Sequence, residues 1–264
     1  VRVRVSSTDN AALNDMSDAD FAVTDTGWTR TMGSTSSDRV YSIAADPSGG
    51  VALSGYFYNT VDFDPGTGVD NHTSVGSSDS FVVKFDNAGT FQWAHTWGST
   101  SSDYGYGCAA DSSGNIYVSG YFYNTVDFDP GTGIDNHTSV YGADCYLSKF
   151  NSAGVWQWTN TWGGSGYDYG REVAVDSSDN VLCSGYYYGN ADFDPGAGTY
   201  YLPTPVTSYN SFVVKFSSTG AFTWARRWGN ESPGPYYSCY NYGFAVDAAG
   251  AAYSIGYFRY TVDF

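Results

Sequence analysis

Asp62-Phe-Asp-Pro-Gly66 recurs at residues 127–131 and 192–196, and the sequence ends on Asp263-Phe264, the first two residues of the same motif. Successive copies start 65, 65 and 71 residues apart. A fixed long period is the signature of a repeat protein, in which each unit buries its apolar face against its neighbours. The spacing therefore predicts similar modules packed side by side. It also directs the search for function toward surfaces that occur several times.

Each unit shows the same order of short apolar segments. The second unit reads aromatic strand Trp93-Ala-His-Thr-Trp97, a hairpin that turns at Asp111-Ser-Ser-Gly-Asn115, the strand end Gly120-Tyr121, the acidic loop, and the strand Tyr146-Leu-Ser-Lys-Phe150. Asp and Ser open turns through bonds to the backbone, and Gly or Asn accepts positive φ. This order predicts four antiparallel strands per unit around an aromatic inner strand, which is typical of a β-propeller blade. An open solenoid of stacked hairpins is the alternative.

The predicted fold is an all-β propeller of four tandem four-stranded antiparallel blades of about 65 residues, the last of them incomplete. Residues 27–264 form the repeats. Residues 1–26 do not fit the repeat and are predicted to be a separate N-terminal strand segment. This segment is interpreted either as a blade-completing or donor strand or as the tail of a preceding module.

The units resemble the repeats of the bacterial seven-bladed β-propeller family known as SBBP. The likeness rests on Asp111-Ser-Ser-Gly-Asn-Ile-Tyr-Val-Ser-Gly-Tyr121, Val126-Asp-Phe-Asp-Pro130 and Asp79-Ser-Phe-Val-Val-Lys84. It implies a secreted or cell-surface bacterial protein without catalytic residues that could be carried over. Only four copies are present, so this sequence alone cannot build seven blades. Residues 1–26 weakly resemble the end of an Ig-like domain.

The last copy has no Phe-Val-x-Lys strand after Phe264, while Val1-Arg-Val-Arg-Val5 and Asp20-Phe-Ala-Val-Thr24 are spare strand material. A bare edge strand is a template for pairing with other chains. The N-terminal strand could complete the last blade in the same chain, or it could be donated to a neighbour and build a filament. A continuation of the protein beyond residue 264 is the third alternative. We therefore expect self-association through the N-terminal strand or the unfinished last blade.

Composition narrows the classes of partner. The formal net charge of −16 disfavours nucleic acid and anionic membrane surfaces, and no apolar run is long enough to span a bilayer. Aromatic residues make up 19% of the chain, and 25 residues are Tyr, which favours strands over helices. The four cysteines, Cys108, Cys145, Cys183 and Cys239, lack the spacing of a zinc site, and their pairing cannot be assigned. Cys183 is predicted to be a small buried hydrophobe.

The acidic loop is the strongest candidate for a metal site. Asp62 and Asp64 alternate with apolar residues, so their carboxylates share one face, and Asp70 can return to the same place. Clustered carboxylates beside glycine carbonyls suit a hard cation such as calcium, whereas turn chemistry alone is the alternative. The predicted calcium ligands are Asp62, Asp64, Asp70, Asp127, Asp129, Asp135, Asp192 and Asp194.

Two further kinds of site involve sugars. Asn71, Asn136 and Asn230 match the acceptor pattern for N-glycosylation. Tyrosines at the strand ends could stack on sugar rings, although packing between blades is the alternative role. These tyrosines are Tyr56, Tyr58, Tyr121, Tyr123, Tyr186 and Tyr188.

An enzyme is not expected, because a general acid and base need two carboxylates in different environments, whereas these recur equivalently in each unit. The sequence therefore predicts an extracellular, non-enzymatic structural or adhesive repeat protein, assembled into fibres or a surface layer by strand donation. A carbohydrate-binding propeller module of a larger secreted protein is the alternative function.

Overall fold

The computed structural model describes residues 28–202, 208–229 and 239–259. Within these ranges every regular element is a β-strand, so the all-β prediction is confirmed, and no helix capable of crossing a membrane occurs there. The predicted N-terminal segment 1–26, the acceptor Asn230 and the closing Asp263-Phe264 lie outside the described residues.

The strands form three four-stranded antiparallel blades and one hairpin. Blade A contains β1 (Arg39–Ala45), β2 (Val51–Phe57), β5 (Asp79–Phe85) and β6 (Phe91–Trp97), and its acidic loop carries the short strands β3 (Thr60–Asp62) and β4 (Asn71–Thr73). Blade B contains β7 (Tyr104–Ala110), β8 (Ile116–Asp127), β9 (Asn136–Phe150) and β10 (Trp156–Gly164). Blade C contains β11 (Tyr169–Val175), β12 (Val181–Tyr188), β14 (Tyr209–Phe216) and β15 (Phe222–Trp228), while β13 (Ala191–Asp192) of its loop pairs with β10. The hairpin, blade D, contains β16 (Cys239–Val246) and β17 (Ala252–Phe258).

The turn between the first two strands of each blade forms as its residues dictate. The backbone N–H of Asp46 donates to the carbonyl of Gly50 at 2.9 Å, and a side-chain oxygen of Asp46 accepts hydrogen bonds from the N–H groups of Ser48 and Gly50. The same backbone bond closes the turns that begin at Asp111, Asp176 and Asp247. The predicted Asp-led hairpin turns are therefore confirmed in all four units.

The prediction of an aromatic inner strand is wrong. In each blade the aromatic strand (β6, β10 or β15) is the last strand of the sheet, and the first strands β1, β7, β11 and β16 pack against one another in series. Glycine explains the inversion, because a Cβ on Gly107 would lie 2.7 Å from the backbone nitrogen of Val173, and one on Gly170 would lie 2.5 Å from the carbonyl oxygen of Gly120. Small residues let the blades converge at the first strands, whereas indole rings need the wider space at the opposite edge.

This order also shifts the phase of the repeat. The strand at Trp224 closes blade C and does not open blade D, so the described chain contains three complete blades followed by two strands. Among the described residues, β16 makes no packing with β1 similar to the packing between neighbouring first strands. The blades therefore form an arc.

The apolar cores lie between the blades. One cluster joins Val82 and Trp97 of blade A to Phe122 and Phe150 of blade B, and a second joins blades B and C in the same way. A third packs Trp28 and Met32 against blade A. The predicted modular packing of equivalent sheets around shared interiors is thus confirmed. All four cysteines are buried and free, and Cys183 fills an apolar position as predicted.

Candidate functional site

The outward edge of blade D is the largest departure from the repeat. In β17 the side chains of Tyr253, Ile255 and Phe258 are 58%, 73% and 51% exposed. The equivalent residues of the complete blade C, 71 positions earlier, are Leu182, Ser184 and Tyr187, which are at most 1% exposed. The same strand is therefore buried in three blades and uncovered in the fourth, because β17 has no third strand beside it among the described residues.

A groove of about 630 Å³ lies along this edge. Its walls are residues 226–228 at the end of β15 and the outward side of β17. In the complete blades, the Trp at the end of an outer strand packs on the third strand of the next blade, since the rings of Trp97 and Tyr146 are 5.8 Å apart and those of Trp162 and Phe216 are 5.4 Å apart. Trp228 is the equivalent residue and borders the groove. The groove therefore lies where a third strand of blade D would pack.

Blade D retains the positions that receive a third strand. At Gly185 of blade C, an added Cβ would lie 3.0 Å from the ring of Phe212, so the glycine makes room for an aromatic side chain of the third strand. The equivalent Gly256 of blade D meets only backbone atoms of residues 240 and 241. The groove can therefore accept an aromatic residue at this register.

A charged position accompanies the aromatic one. Lys215, three residues after Phe212, forms an ion pair of 2.7 Å with Asp176 of the hairpin turn. The same pair joins Lys84 to Asp46 at 2.8 Å. Burial opposes ionisation of Asp46 and Asp176, but hydrogen bonds from the lysine and from the turn outweigh it and lower the pKa of both carboxyls to about 2. Asp247 is the equivalent of Asp176, and its carboxylate accepts hydrogen bonds from residues of its own turn and from the Tyr253 hydroxyl.

Residues 28–32 occupy the place of an outer strand that belongs to a preceding blade. In blade A, His95 is hydrogen-bonded through Nε2 to the carbonyl of Gly154 in the next blade at 2.6 Å, and Trp93 covers that glycine. Arg30 donates in the same way to the carbonyl of Gly89 at 2.8 Å, and Trp28 covers Gly89. The described chain thus carries, at one end, an irregular segment in the place of an outer strand and, at the other end, a hairpin without an outer strand.

The acidic loops are organised by turn chemistry. The Asp62 carboxylate accepts hydrogen bonds from the backbone N–H groups of Asp64 and Asp70, and the Asp64 carboxylate accepts one from Gly66. Val61 and Phe63 are buried at 2% and 1% exposure, as the alternation predicted. The second and third loops repeat these bonds at Asp127, Asp129, Asp192 and Asp194, with Asp135 or Tyr200 at the third position.

These bonds bear on the predicted calcium sites. Asp70 and Asp135 face His72 and His137 at 3.3 and 3.1 Å. Throughout the described ranges, no group of three or more His, Cys, Asp or Glu side chains is arranged to hold a metal ion. The turn alternative accounts for the observed contacts, and calcium binding stays a prediction. Loss of thermal stability on adding a chelator would test it.

The predicted sugar-related residues separate into exposed and packed groups. Asn71 and Asn136 are exposed at equivalent positions at the starts of β4 and β9. The tyrosines at the strand ends pack between blades, because the ring of each contacts a tyrosine on the first strand of the next blade: Tyr56–Tyr104 at 4.8 Å, Tyr121–Tyr169 at 4.6 Å and Tyr186–Tyr240 at 4.8 Å. Tyr58, Tyr123 and Tyr188 lie half-buried beside them.

Sequence reasoning missed a row of buried acids at the blade junctions. Asp79 begins the third strand of blade A, Asp103 precedes the first strand of blade B, and both are at most 2% exposed. Burial and the Asp103 carboxylate raise the pKa of Asp79 to about 7, and burial raises that of Asp103 to about 6. The next junction repeats the pair as Asp144 and Asp168, whose pKa values burial raises to about 7 and about 8. The spacing of 65 residues between Asp103 and Asp168 was the available signal.

Comparison with known proteins agrees with the blade architecture. Residues 92–121, which run from the outer strand of blade A to the second strand of blade B, match the family model described as "SBBP: Beta-propeller repeat". The chain is 25% identical over 228 residues to "Uncharacterized WD repeat-containing protein L264" of Acanthamoeba polyphaga mimivirus, an alignment that covers 77% of this chain and 16% of the relative. It is 27% identical over 163 residues to "Regulatory protein FlaEY" of Caulobacter vibrioides, covering 60% of this chain and 16% of the relative.

The chain therefore spans about a sixth of the length of these two curated relatives. The match of a propeller-repeat model to an observed blade junction confirms the predicted propeller repeats.

Proposed function

We propose that this β-propeller repeat protein is a non-enzymatic, extracellular structural or adhesive element that assembles with further copies by adding strands to the uncovered edge of blade D. One observation carries the proposal: the groove beside β17, which presents apolar side chains along a strand that has no third strand beside it among the described residues. Unpaired strand edges bind other strands through main-chain hydrogen bonds, and side-chain positions give specificity.

The chemistry of the groove selects its occupant. A strand that fits needs an aromatic residue opposite Gly256 and a lysine three positions later, near Asp247, because Phe212 and Lys215 fill these positions in blade C. The third strands of this repeat have that pattern, as in Phe81-Val-Val-Lys84 and Tyr146-Leu-Ser-Lys149.

A second copy of the chain is the occupant we favour. Residues 28–32 pack on blade A as the outer strand of a preceding blade would, so the N-terminal side of one copy offers an outer-strand segment. No lysine precedes Lys84 in the sequence, so this occupant would leave the position near Asp247 without a cation. A head-to-tail contact of this type is heterologous, and it builds a filament when the rotation does not close. Closure within one chain and continuation of the protein beyond residue 264 are the competing outcomes. Among the described residues the first strands do not return from β16 to β1, which argues against closure.

Two observations support a non-enzymatic role. The carboxylates of the acidic loops repeat in equivalent positions, and they are engaged in the hydrogen bonds of their own turns. The extracellular location rests on the resemblance of the repeats, and on the acidic surface, which keeps an assembling protein soluble. Glycans on Asn71 and Asn136 would lie at equivalent places on blades A and B.

The test is assembly of the purified chain as a function of concentration, measured by sedimentation velocity and negative-stain electron microscopy. We expect polymers of increasing length for the natural sequence. Ile255→Lys places a charge on the free edge and should abolish them. Ile134→Lys is the matched control, because Ile134 is equally exposed, at 78% against 73%, but lies in the acidic loop of blade B.

A synthetic peptide of residues 79–97, the third and outer strands of blade A, should cap the edge and shorten the polymers. Monomers at every concentration, or polymers that persist in Ile255→Lys and in the presence of the peptide, would refute the proposal. Closed single-chain rings in the micrographs would establish closure in cis instead.

A further inference from the structure

A cleft of about 490 Å³ lies on the side of the molecule between blades A and B, away from the edge of blade D. Trp93 and His95 of the outer strand of blade A line the cleft, together with Trp156 at the start of β10. The acidic loop of blade B closes the cleft with residues 129–133. This volume falls within the range of about 300–1,000 Å³ that small-molecule sites occupy.

The two indoles present carbon surfaces to the cleft. The Trp93 indole N–H donates to the carbonyl of Ser152 at 3.3 Å, and the Trp156 indole N–H donates to the Thr159 hydroxyl at 3.1 Å. Both polar ends are therefore satisfied by the protein. What is left for a ligand is carbon surface, at Trp156 and at the part of Trp93 that Gly154 and His95 do not cover. His95 stacks on Trp93 with ring centroids 5.3 Å apart, which fixes the orientation of that wall. Rigid aromatic faces of this kind suit the carbon–hydrogen face of a flat ring.

Two side chains of the cleft, Asp129 and His95, offer hydrogen-bond acceptors. One oxygen of Asp129 accepts the N–H of Gly131 at 2.8 Å, and the second lies over Gly133 and accepts no hydrogen bond from the part of the chain that the structure describes. Burial lowers the pKa of His95, which favours the neutral imidazole. Because the Nε2 atom faces the Gly154 carbonyl, it carries the proton, and Nδ1 is left as an acceptor. A ligand that supplies donors can therefore bind these two groups.

We infer that this cleft binds a neutral sugar ring, which stacks on the indole of Trp156, contacts the uncovered part of Trp93 and donates hydroxyl hydrogen bonds to Asp129. An uncharged polyol ring has an apolar face and several donors, which are the two features that the walls require. A uronic acid or a sulfated sugar would bring a negative charge to Asp129 in a chain whose formal net charge is already −16. Sugar binding at this cleft does not depend on assembly through blade D.

The other blades show why this cleft differs from its equivalents. Phe91 and Phe222 stand where blade B has Trp156, and Arg30 and Asn160 stand where blade A has His95. In blade C the ring of Tyr200 lies 5.1 Å from that of Phe222 and covers the equivalent wall. Among the described junctions, the one between blades A and B thus combines two indoles with the Asp129 oxygen that accepts no hydrogen bond from the described residues.

The test is isothermal titration of the full chain with neutral hexose oligosaccharides (cello-, manno- and malto-hexaose) and with oligogalacturonate, in parallel with indole fluorescence. We expect saturable binding of at least one neutral oligosaccharide and none of the oligogalacturonate. Asp129→Asn should weaken binding roughly tenfold or more, since a hydrogen bond to a charged group is lost. Trp156→Phe should weaken it roughly threefold to tenfold through the smaller stacking face.

Matched controls separate a site from a folding defect. Trp156→Phe introduces the residue that blades A and C already carry, and Asp194→Asn makes the Asp129 change in the loop of blade C. Asp194→Asn should leave binding unchanged, and all three variants should keep the natural melting temperature to within a few degrees. Absence of binding to every neutral oligosaccharide, equal binding of oligogalacturonate, or affinities that Asp129→Asn and Trp156→Phe do not change would overturn the inference.

Discussion

Strands β12 and β17 are copies of one sequence pattern in opposite environments. Both end in Gly-Tyr followed by an aromatic residue, both pair with the first strand of their blade, and both follow an Asp-led turn. β12 is buried along almost its whole length, whereas every residue of β17 is exposed. The difference teaches that exposure in this fold is set by the neighbouring strand, because the pattern that suits burial is present in both.

The contrast also separates two contributions to blade stability. A turn and one strand partner are sufficient for the β16–β17 hairpin to form, while the apolar interior requires the third strand and the adjoining blade. In repeat proteins the total stability is close to the sum of the stabilities of the units and of the interfaces between them. An uncovered hairpin has a small interface and therefore contributes little to that total. Equivalent substitutions in a complete blade and in blade D should therefore have very different costs.

The largest difference is expected for one phenylalanine position. Phe122 and Phe258 are equivalent residues, 0% and 51% exposed. Phe122→Ala should lower the free energy of unfolding by about 3–5 kcal/mol, because it leaves a cavity beside Phe128. Phe258→Ala should change it by less than about 0.5 kcal/mol. Urea unfolding at a protein concentration too low for assembly measures both, and a large loss in Phe258→Ala would show that the edge of blade D is covered in solution.

A smaller difference is expected at the turn aspartates. Asp176→Asn removes the negative partner of Lys215 at a site where the side chain of Asp176 is only 6% exposed, and should cost about 2–3 kcal/mol. Asp247→Asn keeps the side-chain oxygen that accepts the N–H groups of the turn, and no lysine among the described residues is paired with Asp247. This variant should therefore have the melting temperature of the natural protein. If the capping peptide of residues 79–97 is present, Asp247→Asn should weaken its binding, because Lys84 of the peptide then lacks its partner.

Much of the blade could be predicted from the sequence, because its determinants are local. The Asp-Ser-Gly turns, the alternation of Val61 and Phe63 with acidic residues, and the Gly-Tyr strand ends each fix a short segment through its own residues. These signals gave the four antiparallel strands and their repeat.

The order of strands across the blade could not be obtained in this way. Aromatic content suggested that the Trp strand was innermost, whereas the close approach of Gly107 to the backbone of the next blade decides the matter. That close approach involves two blades, and its only trace in the sequence is a glycine, which turns also require. The same holds for Asp79 and Asp103, which meet across a junction although they belong to different units.

The buried acids at the blade junctions allow the complete blades to be compared with one another at a single buried position of the third strand. Third strands of blades A and B carry Asp79 and Asp144, and the third strand of blade C, which faces blade D, carries Asn210 at the equivalent place. Among the described residues, Oδ1 of Asp79 and of Asp144 accepts no hydrogen bond. A neutral carboxylic acid is nearly isosteric with an amide, so the exchange for Asn fits acids that are held protonated.

The sign of the pH effect follows from the raised pKa values. Burial raises the pKa of Asp79 and of Asp144 to about 7, above the usual value near 4 in an unfolded chain, so the folded state binds more protons than the unfolded one between these limits. The stability that these groups contribute is complete below pH 4 and is lost as the pH rises through 7. Asp46 and Asp176, with pKa values of about 2, act oppositely and lose their contribution only as the pH falls through about 2.

We therefore expect the melting temperature of the natural protein to fall as the pH rises from 5 to 8. Substitution of the junction acids should have a smaller effect at pH 5 than the substitutions at Phe122 and Asp176. There Asp79→Asn combined with Asp144→Asn should change the melting temperature little, since an amide replaces a neutral acid of the same shape. At pH 8 the double variant should melt above the natural protein, because ionised carboxylates no longer have to be buried. Calorimetry from pH 5 to pH 8 compares the two slopes. Parallel slopes would mean that these acids are ionised in the folded state, and that Asn210 replaces Asp for a reason other than charge.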